Sequence, residues 1–460
     1  MLSKFFGDKK FYKRVIALAL PIMIQNGITN FVNMLDNIMV GRIGTEQMTG
    51  VAICNQLFFV FNLCIFGAVS GAGIFTAQYY GSKDHKGVRD TFRFKLILGL
   101  VITVIGVLIF YFGGDYLIGL YLRGEGSPES AAASLSFAKE YIIIMLIGFF
   151  PNFMAQCYSS TLRETDQTVM PMVAGVSAVF VNLILNYILI FGNFGAPALG
   201  VKGAAIATVI SRFAELLTVA IYTHLSKKKN PFIVGAYKSF RVPKKLVTGI
   251  ISKGMPLMLN ETMWAAGMAV LAQCYSERGL ETVAANNICQ TFFDVFSVAF
   301  MAVGVSIGII LGQLLGSGEI EEAKRSATRL ITFSVMVGIV VGGVYFACAG
   351  LIPEFYNTEA SVKELAANLM RINAVYMAVD AFAHATYFTL RSGGQTFITF
   401  AFDSGFVWAF VVPTAFILSR FTSIGIIPLF AICQMSSILK DIIGYIFVKR
   451  GKWATKIVTD

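Results

Sequence analysis

Carboxylate side chains inside long apolar segments are the residues of this sequence with the clearest capacity for chemistry. Asp36, Glu261 and Asp380 each lie in a run that is otherwise apolar enough to cross a bilayer. An ionised side chain at the centre of a membrane costs about 2.5–3.5 kcal/mol on insertion scales. Because a chain that only sat in lipid would not keep such residues, we expect these acids to bind a cation or a proton reversibly.

Amide and hydroxyl side chains accompany the first of these acids. Asn26, Asn30 and Asn33 recur at helical spacing and form one polar stripe beside Asp36, which indicates a face toward a cavity or another helix. Two further amides share a helix face four residues apart, and a later segment supplies a hydroxyl: Asn182, Asn186 and Thr208. Oxygen ligands of this kind suit Na⁺, or a carboxylate that exchanges protons.

A second set of polar residues occurs later in the chain. Glu261 lies between Pro256 and Trp264 in one apolar segment. Another segment carries three polar residues on one helix face, at spacings of four residues: Tyr376, Asp380 and His384. Two neighbouring carboxylates repel each other unless a cation, a proton or His384 lies between them. For His384, a hydrogen bond to Asp380 and a role in proton relay are both open.

The remaining charges of the apolar segments allow a simpler interpretation. Arg212 and Glu215 are three residues apart and Lys440 and Asp441 are adjacent, so we expect each base to compensate the acid beside it. Asp294 and Asp403 could each line a cavity. Pro21 and Pro256 lie inside long helical segments, where the missing N–H favours a kink.

Membrane-spanning helices must position these residues. Hydrophobic residues make up 56% of the 460 positions and charged residues 14%, and mean hydropathy is +0.71, which is too apolar for a soluble protein. Apolar runs long enough to cross a hydrocarbon core predict about twelve spans. They lie near 14–40, 48–80, 93–113, 136–160, 170–192, 200–223, 247–273, 281–313, 326–352, 366–390, 397–419 and 425–448.

The distribution of Lys and Arg predicts the orientation of these spans. The net charge is +11, and Lys and Arg are concentrated before the first span, after the second, sixth and eighth spans, and at the end of the chain. The positive-inside rule then places both termini in the cytoplasm of a multi-pass protein of the cell membrane. The basic charge is explained by orientation, so we expect no nucleic-acid partner, and the basic start shows no cleavable signal peptide.

The sequence repeats itself. Pro21 to Asp84 aligns without gaps to Pro256 to Glu319 at an offset of 235, and an offset of 228 later pairs Thr161-Leu162-Arg163 with Thr389-Leu390-Arg391. Six spans per half give both halves the same orientation, so they are parallel repeats. We predict a bundle at 1–223, a basic cytoplasmic linker at 224–246 and a second bundle at 247–460.

Several functional classes lack their sequence signatures. No P-loop, H-E-x-x-H or G-x-S-x-G motif occurs, and the seven cysteines show no metal-ligand spacing. We therefore expect a protein that is not an enzyme, with no catalytic residues, no cofactor and no bound metal other than Na⁺ as a coupling ion. Energy would come from ions that move through the spans.

The chain resembles the MATE (multidrug and toxic compound extrusion) family along nearly all its length. The resemblance rests on A-L-P-x(14)-D-x(4)-G-R-I-G from Ala19, N-x-x-L-N-Y-x-L-I-F-G from Asn182, G-x-x-G-A-A-I-A-T from Gly200, M-P-L-M-L-N-E-T-M-W from Met255, and the L-R-x-x-x-Q-T turns. It implies two six-helix bundles around a central cavity, which export organic cations by alternating access in exchange for H⁺ or Na⁺. The implied ion sites are Asp36, Asn182, Asn186 and Thr208 in the first half, and Glu261, Tyr376 and Asp380 in the second.

Three questions stay open at this level. Many members of the family carry Asp at the position of Asn186, so this chain has one carboxylate fewer in its first half, and Na⁺ is slightly favoured over H⁺. A flippase for lipid-linked saccharides is the alternative within transport, but acids outnumber bases in the spans and favour cationic cargo. A receptor or scaffold that transports nothing would not need the acids. We expect a monomer in the bilayer that binds small organic cations.

Overall fold

The protein is built from long helices that follow one another along the chain. The computed structural model describes residues 5–122 and 127–458, without the side chains at positions 33, 34, 37 and 38. Within these residues there are twelve long helices and no strand. The helices are α1 (Lys9–Gly41), α2 (Thr45–Gly81), α3 (His85–Leu122), α4 (Pro128–Glu164), α5 (Val169–Phe191), α6 (Val201–Leu225), α7 (Lys244–Ser276), α8 (Leu280–Gly316), α9 (Ile320–Cys348), α10 (Ala360–Ser392), α11 (Thr396–Phe421) and α12 (Ile426–Arg450).

Ten of these helices are long and apolar enough to cross a membrane. The other two, α7 and α10, have the length but contain more polar residues in the described chain. They are the helices that carry Glu261 and Asp380. Polar residues inside a membrane protein face its interior or a water-filled space, which explains how these two helices cross the bilayer despite their composition.

Contacts divide the chain into two compact units. One, here called the N-unit, comprises Ile24–Thr76 and Asp84–Ile250; the other, the C-unit, comprises Met1–Met23, Ala77–Lys83 and Ile251–Asp460. The start of α1 belongs to the C-unit because Val15, Leu18 and Ile22 are buried in a hydrophobic cluster with residues of α8 and α9. The division into 1–223, 224–246 and 247–460 stays a prediction.

Aromatic side chains fill much of the interior of the N-unit. The rings of Phe61 and Phe149 stack with their centroids 4.0 Å apart, and Phe58 meets Phe149 edge to face at 5.2 Å. Such ring pairs stabilise a helix interface beyond the area that they bury. They join α2 to α4, and α4 packs in turn against α3 and α6. Helix α4 thus lies between α2 and α6, the helix that carries Thr208.

The segment predicted as a linker is folded onto the N-unit. It forms short 3₁₀ turns at Pro231–Ile233 and Ala236–Lys238, with the side chains of Phe232 and Ile233 buried. Arg89 donates to the Phe232 carbonyl at 3.2 Å, and Arg93 donates to the carbonyls of Gly235 and Ala236 at 2.7 and 2.9 Å. Two basic side chains of α3 therefore satisfy backbone acceptors that helical structure leaves free.

Equivalent glycines of the repeat allow the last turns of α2 and α8, both part of the C-unit, to cross closely. A Cβ on Gly81 would lie 2.0 Å from the carbonyl oxygen of Gln313, and one on Gly316 would lie 1.9 Å from that of Gln78. Neither position has room for a side chain. The segment after α12 packs at the same place, since Gln78 donates to the Ser392 and Thr455 carbonyls at 3.1 and 3.2 Å.

Helix α11 has an irregular middle. Residues Ala401–Gly405 and Val407–Val411 are π-helical, so their backbone hydrogen bonds span one residue more than in an α-helix. Pro413 lies two residues after the second of these segments and has no N–H to donate, which leaves the carbonyl of Ala409 without its α-helical donor. Asp403, which lies in the first of these segments, contacts Asn260 of α7 and Lys440 of α12. π-Helical turns of this kind occur frequently at functional sites.

Candidate functional site

The first-half residues predicted from sequence come together in the N-unit. The Nδ2 atom of Asn186 donates to Oδ1 of Asp36 at 2.8 Å. In the orientation that satisfies both ends of the Asn182 amide, its nitrogen lies 2.8 Å from Oδ2 of Asp36 and its oxygen accepts from the Thr208 hydroxyl at 3.2 Å. Helices α1, α5 and α6 thus each supply part of one cluster.

One oxygen atom of this cluster has no hydrogen-bond donor within the described chain. Oδ1 of Asn186 is buried and accepts no hydrogen bond from any residue that the structure describes. A buried acceptor without a donor is costly, and a bound cation or water would remove the cost. The cluster therefore offers a hard-oxygen environment in which Asp36 supplies the negative charge.

The asparagine stripe of α1 continues away from this cluster. Asn26 is exposed and Asn30 is half-buried, whereas the side chain of Asn33 lies outside the described residues. Tyr141 of α4 is buried beside the cluster, and its hydroxyl is 3.5 Å from Oδ1 of Asn55. The cavity-lining role of the stripe stays a prediction.

Glu261 of α7 has a partner that the sequence did not indicate. Its Oε1 atom accepts a hydrogen bond from the hydroxyl of Tyr387 in α10 at 2.9 Å. Arg391 and Asp403 act on the same carboxylate electrostatically. Tyr387 lies seven residues after Asp380 on α10, so one helix provides an acid and also the residue that holds another acid.

The carboxylate of Asp380, on α10, forms no hydrogen bond or ion pair with the residues that the structure describes. His384 is one turn away, and its Nδ1 atom is 3.2 Å from the backbone carbonyl of Asp380 rather than from its carboxylate. His384 packs edge to face on Phe300 at 5.5 Å. Tyr376 is half-buried one turn before Asp380. Of the two possibilities left open for His384, the structure thus shows a hydrogen bond to Asp380, and that bond involves the backbone carbonyl of Asp380.

Asp403 and Lys440 form an ion pair that joins α11 to α12, and each side chain is 15% exposed. The sequence suggested that Lys440 compensates Asp441, but in the structure Lys440 pairs with Asp403 instead. Adjacent residues on a helix point about 100° apart, so Lys440 and Asp441 do not face each other. The first-half pair is as expected, with Arg212 and Glu215 separated by 3.3 Å.

Asn260 of α7 fixes the other side of this ion pair. Its Nδ2 atom donates to Oδ2 of Asp403 at 2.9 Å, and its Oδ1 atom accepts from the Ser404 hydroxyl at 2.8 Å. Both oxygens of Asp403 are therefore engaged. Asn260 precedes Glu261 in the sequence, but nothing in the sequence alone places it against residues more than a hundred positions away.

The other predicted residues have less defined surroundings. Trp264 is 40% exposed, and exposed Asp294 accepts from the amide of Gln290 at 3.0 Å within α8. Pro21 and Pro256 lie inside α1 and α7, which continue through them. No group of three metal-ligating side chains (His, Cys, Asp or Glu) occurs in the part of the chain that the structure describes.

The sequence and the fold both match known proteins. A model of the MatE family matches residues 21–188 and 256–417. The chain is 26% identical over 457 residues to a probable multidrug resistance protein NorM of Thermotoga maritima, which covers 97% of this chain and 94% of that one. It is 25% identical to the multidrug resistance protein MdtK of Pectobacterium atrosepticum, over 88% of this chain and 87% of that one.

Solved structures of the same architecture support the fold. The crystal structure of a mutant of the Vibrio cholerae MATE transporter VcmN superimposes with a TM-score of 0.86 at 17% identity, over 98% of each chain. The predicted fold class, an all-α polytopic membrane protein of about twelve helices, is confirmed.

Proposed function

The chain belongs to the MatE family of membrane transporters, and from this premise we propose that it is a secondary active antiporter that exports organic cations in exchange for Na⁺ or H⁺. Family membership confirms the resemblance that the motifs indicated, and the relatives are transporters rather than enzymes. Relatives in several bacteria are named multidrug resistance proteins, which supports drugs as the cargo of this chain.

One observation carries the proposal of ion exchange. Among the described residues, none of the acids Asp36, Glu261 and Asp380 forms an ion pair with Lys or Arg. Asp36 is held by amides and Glu261 by a tyrosine hydroxyl. A carboxylate within a membrane span without a fixed counter-ion needs a proton or a mobile cation. These acids are therefore the groups at which we propose that the coupling ion binds and with which the substrate competes.

The identity of the coupling ion depends on the two clusters. In the first half, Asp36 with amide and hydroxyl oxygens favours Na⁺. In the second half, Asp380 lies one turn from His384, an arrangement that suits H⁺. We retain Na⁺ as the first choice because Asn186 offers an unused oxygen beside the carboxylate. No cofactor is needed in addition to this ion.

A flippase for lipid-linked saccharides is less well supported. Such a protein would need basic side chains free to bind a pyrophosphate. Lys95 is held by Glu164 at 2.5 Å and by Ser160 at 2.8 Å, Arg212 by Glu215, and Lys440 by Asp403. These bases are already paired with protein acids, whereas Asp36, Glu261 and Asp380 form no ion pair with a base among the described residues. Cationic cargo fits that balance better than anionic cargo.

The protein is a multi-pass membrane protein, and we propose that it resides in the cell membrane as a monomer with both termini in the cytoplasm. Helix α1 begins with the basic segment Lys9–Arg14 and α12 ends in Lys449 and Arg450, as the positive-inside rule requires of cytoplasmic ends. With this orientation, export would use an inward gradient of Na⁺ or H⁺.

Reconstitution into liposomes tests the proposed function. Purified protein in vesicles loaded with a fluorescent organic cation such as ethidium should transport the dye when a Na⁺ gradient or a pH gradient is imposed alone. An anionic dye of similar size serves as the control and should not move. Transport of ethidium that responds to neither gradient would overturn the proposal, and transport of a lipid-linked pyrophosphate in the same vesicles would favour the flippase.

A further inference from the structure

Asp403 differs from the other intramembrane acids of the C-unit because it forms an ion pair with a lysine side chain. Asp403 contacts the ammonium group of Lys440, and its second oxygen accepts from Asn260 at 2.9 Å. Lys440 also lies 5.3 Å from the centre of the Phe402 ring, a cation–π distance. The ammonium group is thus held by a carboxylate and an aromatic face, and both partners come from the π-helical part of α11.

Other charges surround this pair without contacting it. Lys440 acts electrostatically on Asp380 of α10 and on Asp441 of α12. His384 interacts electrostatically with both Lys440 and Asp403. Oδ1 of Asp441 is buried and accepts no hydrogen bond from the described residues. The cluster therefore holds three aspartates for one lysine, and the lysine is committed to the aspartate on α11.

The internal repeat places a base at the equivalent position of the other half. At the offset of 228, Lys440 aligns with Arg212, which pairs with Glu215 in the N-unit. Each half thus keeps a base on its last helix, paired with an acid, and leaves at least one other acid without a base. Because a buried ion pair recovers little more than its own desolvation cost, stability alone is a weak reason to keep it.

We propose that Lys440 is a tethered internal cation: it occupies at Asp403 the place that a coupling ion would otherwise take, and so limits the ions that the C-unit exchanges in each cycle. This inference rests on the proposed antiport. In this proposal Asp403 is occupied permanently by the ammonium group of Lys440, and Asp380 remains available to bind the mobile coupling ion. Lys440 is then the residue that sets the ratio of ions to substrate.

Two single variants test the separate contributions of Lys440 and Asp403. In Lys440→Met, the carboxylate of Asp403 has no partner charge and takes up a coupling ion, so the ratio of ions to substrate rises by one. In Asp403→Asn, the ammonium group loses its acid and competes for Asp380 with the mobile ion. Ion-driven transport should then fall by about tenfold or more, as expected when one partner of a buried pair is removed.

The double variant and a surface control complete the experiment. Asp403→Asn/Lys440→Met removes both charges of this pair together and should return to the ratio of the unaltered protein. Lys363→Met removes the same charge from an exposed pair with Glu354, separated by 2.9 Å, and should leave the ratio unchanged. The ratio is measured in proteoliposomes as the substrate gradient that just stops net flux against a fixed ion gradient.

The outcomes distinguish this inference from the proposed function. If the unaltered protein shows no ion-driven flux, the antiport itself is wrong. If it does, and Lys440→Met keeps the original ratio, the tethered-cation inference is overturned. Where Lys440→Met does not fold, Lys440→Gln, which also removes the charge and keeps Asp403, takes its place: a ratio raised by one supports the inference, and an unchanged ratio overturns it.

Discussion

Replacement of Asp36 by asparagine tests the first-half site most sharply. The side chain keeps its shape and loses its charge, so its oxygen can still accept from Asn186, which now donates at 2.8 Å. The new NH₂ group meets the Asn182 nitrogen, and about one hydrogen bond is lost, a net cost of about 1 kcal/mol in the free energy of unfolding. We therefore expect a folded protein whose thermal midpoint in detergent changes little.

The effect on ion binding should be much larger. An interaction with a charged group contributes about 1.5–3 kcal/mol, which corresponds to roughly a 10- to 150-fold change in affinity. In Asp36→Asn the Na⁺ concentration or acidity that gives half-maximal ethidium transport should thus rise by about tenfold or more. The control is Asp115→Asn, at an exposed acid paired with Lys139 at 2.8 Å. An unchanged ion dependence in folded Asp36→Asn would refute the assignment.

Three further changes follow from the same structure. Asp380→Asn should abolish ion-driven dye transport in proteoliposomes while the thermal midpoint stays near that of the unaltered protein; full transport would remove this residue from the site. Gly316→Val should destabilise by about 1–3 kcal/mol or more, since its Cβ meets the Gln78 carbonyl at 1.9 Å, whereas Gly343→Val, with open space around it, should not. Equal thermal midpoints for the two glycine variants would contradict the close crossing. Trp453→Ala, at a residue 1% exposed, should cost about 3–5 kcal/mol and make the C-terminal segment sensitive to protease; continued protection would show that the tail does not depend on it.

The sequence predicted the helices well, although their lengths were too short in places. The third span was predicted near 93–113, but α3 extends over His85–Leu122. Hydropathy detects only the part of a helix that matches the hydrocarbon core, and the polar turns at either end continue the helix without an apolar signal. Composition likewise predicted only a basic linker after α6. In the structure, Arg89 and Arg93 of α3 donate hydrogen bonds to the backbone of this segment, a contact that composition does not reveal.

The candidate sites were predictable where the residues share a helix and not where they meet across helices. The four-residue spacing of Asn182 and Asn186 indicated a common face, and the structure adds Asp36 to it. By contrast, Lys440 was assigned to its neighbour in sequence, while its partner Asp403 lies on another helix. A single sequence contains no signal for such long-range contacts. The π-helical turns that present Asp403 have no sequence motif either, apart from the proline that follows them.

The central claim is that the unpaired intramembrane acids hold the coupling ion until the substrate displaces it. The direct measurement is ion release when ethidium binds to the purified protein, with Na⁺ and H⁺ each recorded by a selective electrode in weakly buffered detergent solution. We expect one of these ions to be released as the dye binds, and less of it to be released from Asp380→Asn. Saturable dye binding with no release of either ion would contradict it.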